Sequence, residues 1–119
     1  MNRLPRMTVM MLLLFLAGTA TAQVSIKQLS NECSKSMSTT QLVDGKIKIV
    51  GEEMDPFCRG YLLGVYDVIT AAGEVKNEAP SADYLKSVVN TYLRDNPTKN
   101  SGPAAPILRA AFRRAFPAK

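Results

Sequence analysis

A chain of 119 residues with two cysteines, no histidine and a net charge of +5 is long enough for one small domain and leaves few chemistries open. Without histidine, Ser-His-Asp and Cys-His catalysis are excluded as written, and two cysteines alone do not complete an ordinary zinc site. The basic balance comes without like-charge blocks, interleaved aromatic and basic residues or a nucleic-acid motif, so the cations read as solvated surface with a local cluster near the C-terminus.

The first residues have the pattern of a secretory signal peptide: Arg3 and Arg6 form a positive start, Val9 to Leu16 an apolar stretch, and Ala20-Thr21-Ala22 a small-residue cleavage site. Cleavage is expected after Ala22. The apolar run is shorter than the roughly 20 residues of a membrane span. No cysteine follows it directly, so a lipoprotein signal is absent. The remaining 23–119 are expected to form one exported, mildly basic domain. Export permits a disulfide, and Cys33 is expected to pair with Cys58.

Ser25 to Lys35 reads as a short helix with Ile26, Leu29 and Cys33 on one face. Ser38 to Glu53 is less regular. Lys46-Ile47-Lys48-Ile49-Val50 has the strand period and follows Asp44-Gly45, which suits a small hairpin. The same residues also read as an extended loop pinned by the disulfide.

Asp55 to Gly73 should be the buried central helix. Asp55 suits the N-cap, Pro56 the first turn and Gly73 the left-handed exit. Phe57, Tyr61, Val65, Val68 and Ala72 make an apolar stripe, which Cys58, Leu62 and Ile69 widen. Gly60 and Gly64 lie one turn apart, and each costs about 1 kcal/mol relative to alanine inside a helix. The functional reading is close approach of another backbone, within the subunit or across a dimer; the plain reading is a tolerated loss on an exposed face. A membrane-dimer motif fits poorly, because Arg59 and Asp67 interrupt the apolar run.

Glu74 to Pro80 reads as a connecting loop. Ser81 can cap a third helix carrying Leu85, Val88, Val89, Tyr92 and Leu93 on one face, stopped by Asn96-Pro97. After a polar turn, Thr98 to Gly102, the last helix begins between Pro103 and Pro106 and runs to about Phe116. Ile107, Leu108, Ala111, Phe112 and Ala115 form its inner face and Arg109 and Arg113 its outer one. The expected fold class is all-α, a small bundle of about four helices with one disulfide and at most a minor hairpin between the first two. Glu52 and Glu53 are neighbours that diverge, and an exposed Asp67 is the commoner case, so no acid/base pair is evident. The residues argue for a protein that works by binding.

The run Phe57-Cys58-Arg59-Gly60-Tyr61-Leu62-Leu63-Gly64-Val65-Tyr66-Asp67 resembles the hallmark helix of the Rap/Tai-type immunity proteins of type VI secretion. Tyr92-Leu93, Asn96-Pro97 and Phe116-Pro117 follow in that family's order, so the resemblance covers about Cys33 to Pro117. In that motif Gly60, Tyr61 and Gly64 are packing positions. Family members often carry a second cysteine pair, near the proline before the third helix and after Phe-Pro. Here both partners are missing together, so a less firmly tethered C-terminus and a more mobile hinge before the third helix are expected.

The resemblance implies a periplasmic antidote, often dimeric, that binds an injected peptidoglycan amidase and occludes its cleft without a cofactor. The expected inserting loop is Glu74 to Glu78, with Glu74, Lys76, Asn77 and Glu78 in contact; Thr98 to Ser101 is the second choice. The competing class is a helical envelope chaperone or structural envelope protein with no effector partner. A neighbouring gene for a secreted cysteine amidase separates the two. A hydrolase is the weakest reading, for want of a catalytic set.

Overall fold

The computed structural model describes residues 23–118; the expected signal peptide lies outside them. In chain order the described elements are α1 (Ile26–Cys33), β1 (Ser36–Val43), β2 (Lys46–Met54), α2 (Pro56–Ala71), α3 (Ala82–Asp95), a 3-10 turn (Pro97–Lys99) and α4 (Ala104–Ala115).

The all-α expectation is therefore corrected. Four helices are joined by a two-stranded antiparallel sheet, and the fold is mixed α and β. The strands turn at Asp44-Gly45, where both residues have positive φ (52° and 76°), the geometry that matches the twist of a two-residue hairpin. The ladder runs from Val43 opposite Lys46 to Ser36 opposite Met54, with one extra residue, Val50, between Thr40·Ile49 and Thr39·Gly51. The hairpin is longer than its sequence signal because Ser36-Met37-Ser38-Thr39-Thr40-Gln41 has no apolar alternation. Both of its faces are exposed almost throughout.

Three of the four helices start where the sequence provides a side-chain cap, α4 following Pro103 without one. Ser25 and Gln28 form a reciprocal capping box at α1 (Gln28 N to Ser25 Oγ 3.1 Å, Ser25 N to Gln28 Oε1 3.1 Å). The Asp55 carboxylate accepts from Phe57 N at 3.0 Å and Cys58 N at 3.1 Å at the start of α2, and the Ser81 hydroxyl from Tyr84 N at 3.1 Å at α3. At the end of α2, Gly73 takes φ +74°. Its N–H donates to Thr70 O (3.0 Å) and that of Glu74 to Ile69 O (2.9 Å), a Schellman exit that closes two open carbonyls.

The core joins Ile26 and Leu29 of α1, Cys58, Leu62, Tyr66 and Ile69 of α2, Leu85 and Val89 of α3, and Ile107, Leu108, Ala111 and Phe112 of α4. Burying each large side chain of this set stabilises the fold by about 1.5–3 kcal/mol. The Cys33–Cys58 disulfide, with Cα atoms 5.0 Å apart, ties α1 to the first turn of α2. Ile26 N donates to Gly102 O (2.9 Å) and Ala104 N to Val24 O (2.8 Å), so the starts of α1 and α4 are clasped together.

The buried face of α2 differs from the expected stripe. Cys58, Leu62, Tyr66 and Ile69 point inward, while Phe57 and Val68 are exposed and Tyr61 and Val65 are half-buried. The helix is apolar on two sides, so periodicity alone does not choose between them; the disulfide at Cys58 selects one. Ala115, expected inside, is exposed, and Phe116 is buried in its place.

Candidate functional site

The Schellman exit of α2 delivers residues 74–80 to the surface as an anchored segment. Val75 is buried and forms an isolated antiparallel bridge with Pro117, and Lys76 N donates to Phe116 O at 3.1 Å. The phenol of Tyr66, itself buried, donates to the Lys76 carbonyl and accepts from Glu78 N at 3.4 Å. Its ring meets Phe112 and Phe116 edge-on, with centroids 5.8 and 5.3 Å away. The segment is thus pinned at both flanks. Asn77, Glu78 and Ala79 stand exposed between them, Ala79 at φ +44°.

The four residues expected to contact a partner do not share one role. Asn77 and Glu78 are exposed at the tip, and Lys76 is half-buried. The Glu74 carboxylate turns to α4, where it accepts from the Arg109 guanidinium (Nε 2.7 Å) with Arg113 Nη1 at 3.9 Å. That ion pair is partly exposed, worth about 0–1 kcal/mol, and directs Glu74 away from the tip. The second-choice segment, Thr98 to Ser101, is a solvent-exposed turn.

Beside this segment α2 and α4 leave an open groove of about 840 Å³, floored by Gly60 and Gly64 and walled by Tyr61, Val65, Val68 and Arg109. No atom beyond the helix's own local backbone lies within 4 Å of where a Cβ on either glycine would stand. The within-subunit form of the close-approach expectation has no counterpart here. Partial burial pushes the Tyr61 phenol above its usual range, so this side chain of the groove wall stays protonated and neutral at physiological pH.

Among the described residues no group of three or more His, Cys, Asp or Glu side chains is placed to hold a metal ion. Tyr66 is the positioning residue that sequence reasoning missed. Its signal was available: it falls four residues after Leu62 and three before Ile69, on the face that Cys58 fixes.

A family model for Rap1a immunity proteins matches residues 25–118, which include the disulfide, the central helix, the anchored segment and Phe116-Pro117. The chain belongs to the Rap1a immunity protein family. No curated protein matches it, and no solved structure does. Membership implies an immunity role against a type VI effector. Where the sequence lacks the second cysteine pair often found in such proteins, this Rap1a-family chain holds the same region with the Val75·Pro117 bridge and the buried Phe116 ring. No described helix is long and apolar enough to cross a membrane.

Proposed function

We propose that this Rap1a-family protein acts in the periplasm, where it binds a type VI effector of the peptidoglycan-amidase class and occludes its substrate cleft. The observation that carries the reading is the exposed tip Asn77–Glu78 held between two fixed points, the Tyr66·Lys76 hydrogen bond on one side and the capped start of α3 on the other. A cleft that accepts a peptide stem is narrow and polar. A short preorganised turn enters it at a lower entropic cost than a free segment. The apolar groove that Glu74 helps to line offers a second contact surface.

The signal-like start of the sequence and the Cys33–Cys58 disulfide both favour an exported, oxidising location. The protein performs no bond-breaking in this scheme. Its work is to bind and to fill. Co-expression in the periplasm with the amidase encoded beside it is the genetic test: cells that carry both survive, and cells with the amidase alone lyse. Lysis in both strains counts against the proposal.

A further inference from the structure

The hairpin has no role in the preceding account, yet it carries much of the exposed aliphatic surface of the described chain. Leu42, Ile47 and Ile49 are 72%, 76% and 70% exposed. The Met54 side chain at its base packs against the core, whereas residues 36–42 and 46–53 are all exposed. The alternation Lys46-Ile47-Lys48-Ile49 is the pattern of a strand with one buried face, and nothing in the subunit buries it. A contiguous apolar patch of this kind marks an interaction site.

The ladder sorts these side chains by face. Leu42 stands opposite Ile47 and Thr40 opposite Ile49, so one face of the distal half is aliphatic and uncharged. Val43 opposite Lys46 and Gln41 opposite Lys48 place both lysines on the other face. The acids Glu52 and Glu53 come after the extra residue Val50, in the half next to the helices. Asp44 in the turn is the one acid of the distal half, and no ion pair among the described residues engages either lysine.

We propose that the distal half of the hairpin docks on the surface of an anionic phospholipid bilayer. Leu42, Ile47 and Ile49 enter the boundary between headgroups and acyl chains, and Lys46 and Lys48 extend their ammonium groups to lipid phosphates. Binding of this kind combines buried apolar area with attraction to anionic lipid, and lysine stems lie along apolar surface while their heads stay in water. Composition favours lipid over a protein partner. The strands and turn contain no Trp, Tyr, Phe or Arg, the residues that anchor protein interfaces, and they rely on aliphatic side chains and lysine. A bilayer takes aliphatic groups without shape complementarity. The open backbone edges of a two-stranded sheet forbid passage through the hydrocarbon core, so the hairpin lies at the interface. Insertion stops near Val50, since Glu52 and Glu53 stay in water.

The test is flotation of the purified exported chain with vesicles of phosphatidylglycerol and phosphatidylethanolamine, against vesicles of phosphatidylcholine alone. The native chain floats with the anionic vesicles, and its affinity for the neutral ones is at least about tenfold lower. Ile47→Thr/Ile49→Thr, which keeps the β-branch that suits a strand, and Lys46→Gln/Lys48→Gln each weaken the anionic binding at least about tenfold. Lys27→Gln/Lys86→Gln, the same charge change on the helices, leaves it unaltered. A reporter needs no loss of binding: the chain has no tryptophan, so Ile47→Trp supplies a single one whose emission moves to the blue on adding anionic vesicles, while Lys27→Trp does not respond. A native chain that stays in solution with both vesicle types overturns the proposal, as does flotation indifferent to the hairpin replacements. If the face serves a protein instead, vesicles are ignored and Ile47→Thr/Ile49→Thr weakens amidase inhibition, which also overturns it. Vesicle binding is read without the effector, so its failure leaves the immunity reading untouched.

Discussion

The Tyr66 hydroxyl donates to the main-chain carbonyl of Lys76, ten residues further along, and with the weaker bond it accepts from Glu78 N this fastens the exposed segment to the central helix. The ring stays in place without these bonds, packed edge-on against Phe112 and Phe116. Tyr66→Phe therefore removes both hydrogen bonds of the hydroxyl and keeps the packing. The expected cost is about 1–2 kcal/mol in urea denaturation, with a further loss of effector affinity because the tip is no longer held. Tyr66→Ala adds the loss of a buried ring and costs about 3–5 kcal/mol.

The disulfide closes a loop with a sequence separation of 25, so reducing it enlarges the unfolded ensemble by an amount the chain-entropy account puts at roughly 3 to 4 kcal/mol. That is a large share of the stability of so small a domain. Thermal melts with and without reductant check it. The reduced protein should unfold at a clearly lower temperature, and the Cys33→Ala/Cys58→Ala chain should match it and ignore reductant.

Gly60 and Gly64 are predicted to be improvable. Both are exposed in the middle of α2, and added methyl groups meet nothing within 4 Å in the subunit. Gly60→Ala and Gly64→Ala should each raise stability by about 0.5–1 kcal/mol through helix propensity alone, measured by chemical denaturation. Loss of partner binding in the same variants would show that another chain comes close to that groove.

Much of this architecture was legible in the sequence because the signals were local. Asp55 and Ser81 announced the starts of α2 and α3, Gly73 the exit of α2, and Cys33 and Cys58 their bond. The faces of α1 and α3 could be read from spacing. The face of α2 could not be read from spacing alone, because Phe57, Tyr61, Val65 and Val68 are as apolar as Cys58, Leu62 and Ile69; the disulfide at Cys58 is what distinguishes them. The hairpin was legible at Asp44-Gly45 and along Lys46–Val50. Its first strand carries no alternation, since neither face is buried, and an all-helical reading followed. At the site, the exposed tip could be read from polarity, while the inward turn of Glu74 depends on Arg109, thirty-five residues away.

Tyr61 gives a pH prediction. Burial raises its phenol above the ordinary tyrosine value, since the ionised form is less well solvated in the groove wall than in the unfolded chain. A raised pKa means that the folded state holds its proton longer. The linked stability is intact below the ordinary phenol value and is lost as pH rises through the raised one. Tyrosinate absorbance during alkaline titration, compared with Tyr61→Phe, should assign a late-titrating phenol to this residue.

The most direct measurement is a titration of the purified exported protein into the amidase encoded beside it, followed by release of peptide from peptidoglycan. The account predicts that activity falls linearly to zero near one protein chain per enzyme, and that Asn77 and Glu78 substitutions weaken the inhibition without altering the fold. Undiminished peptide release at saturating protein would contradict it.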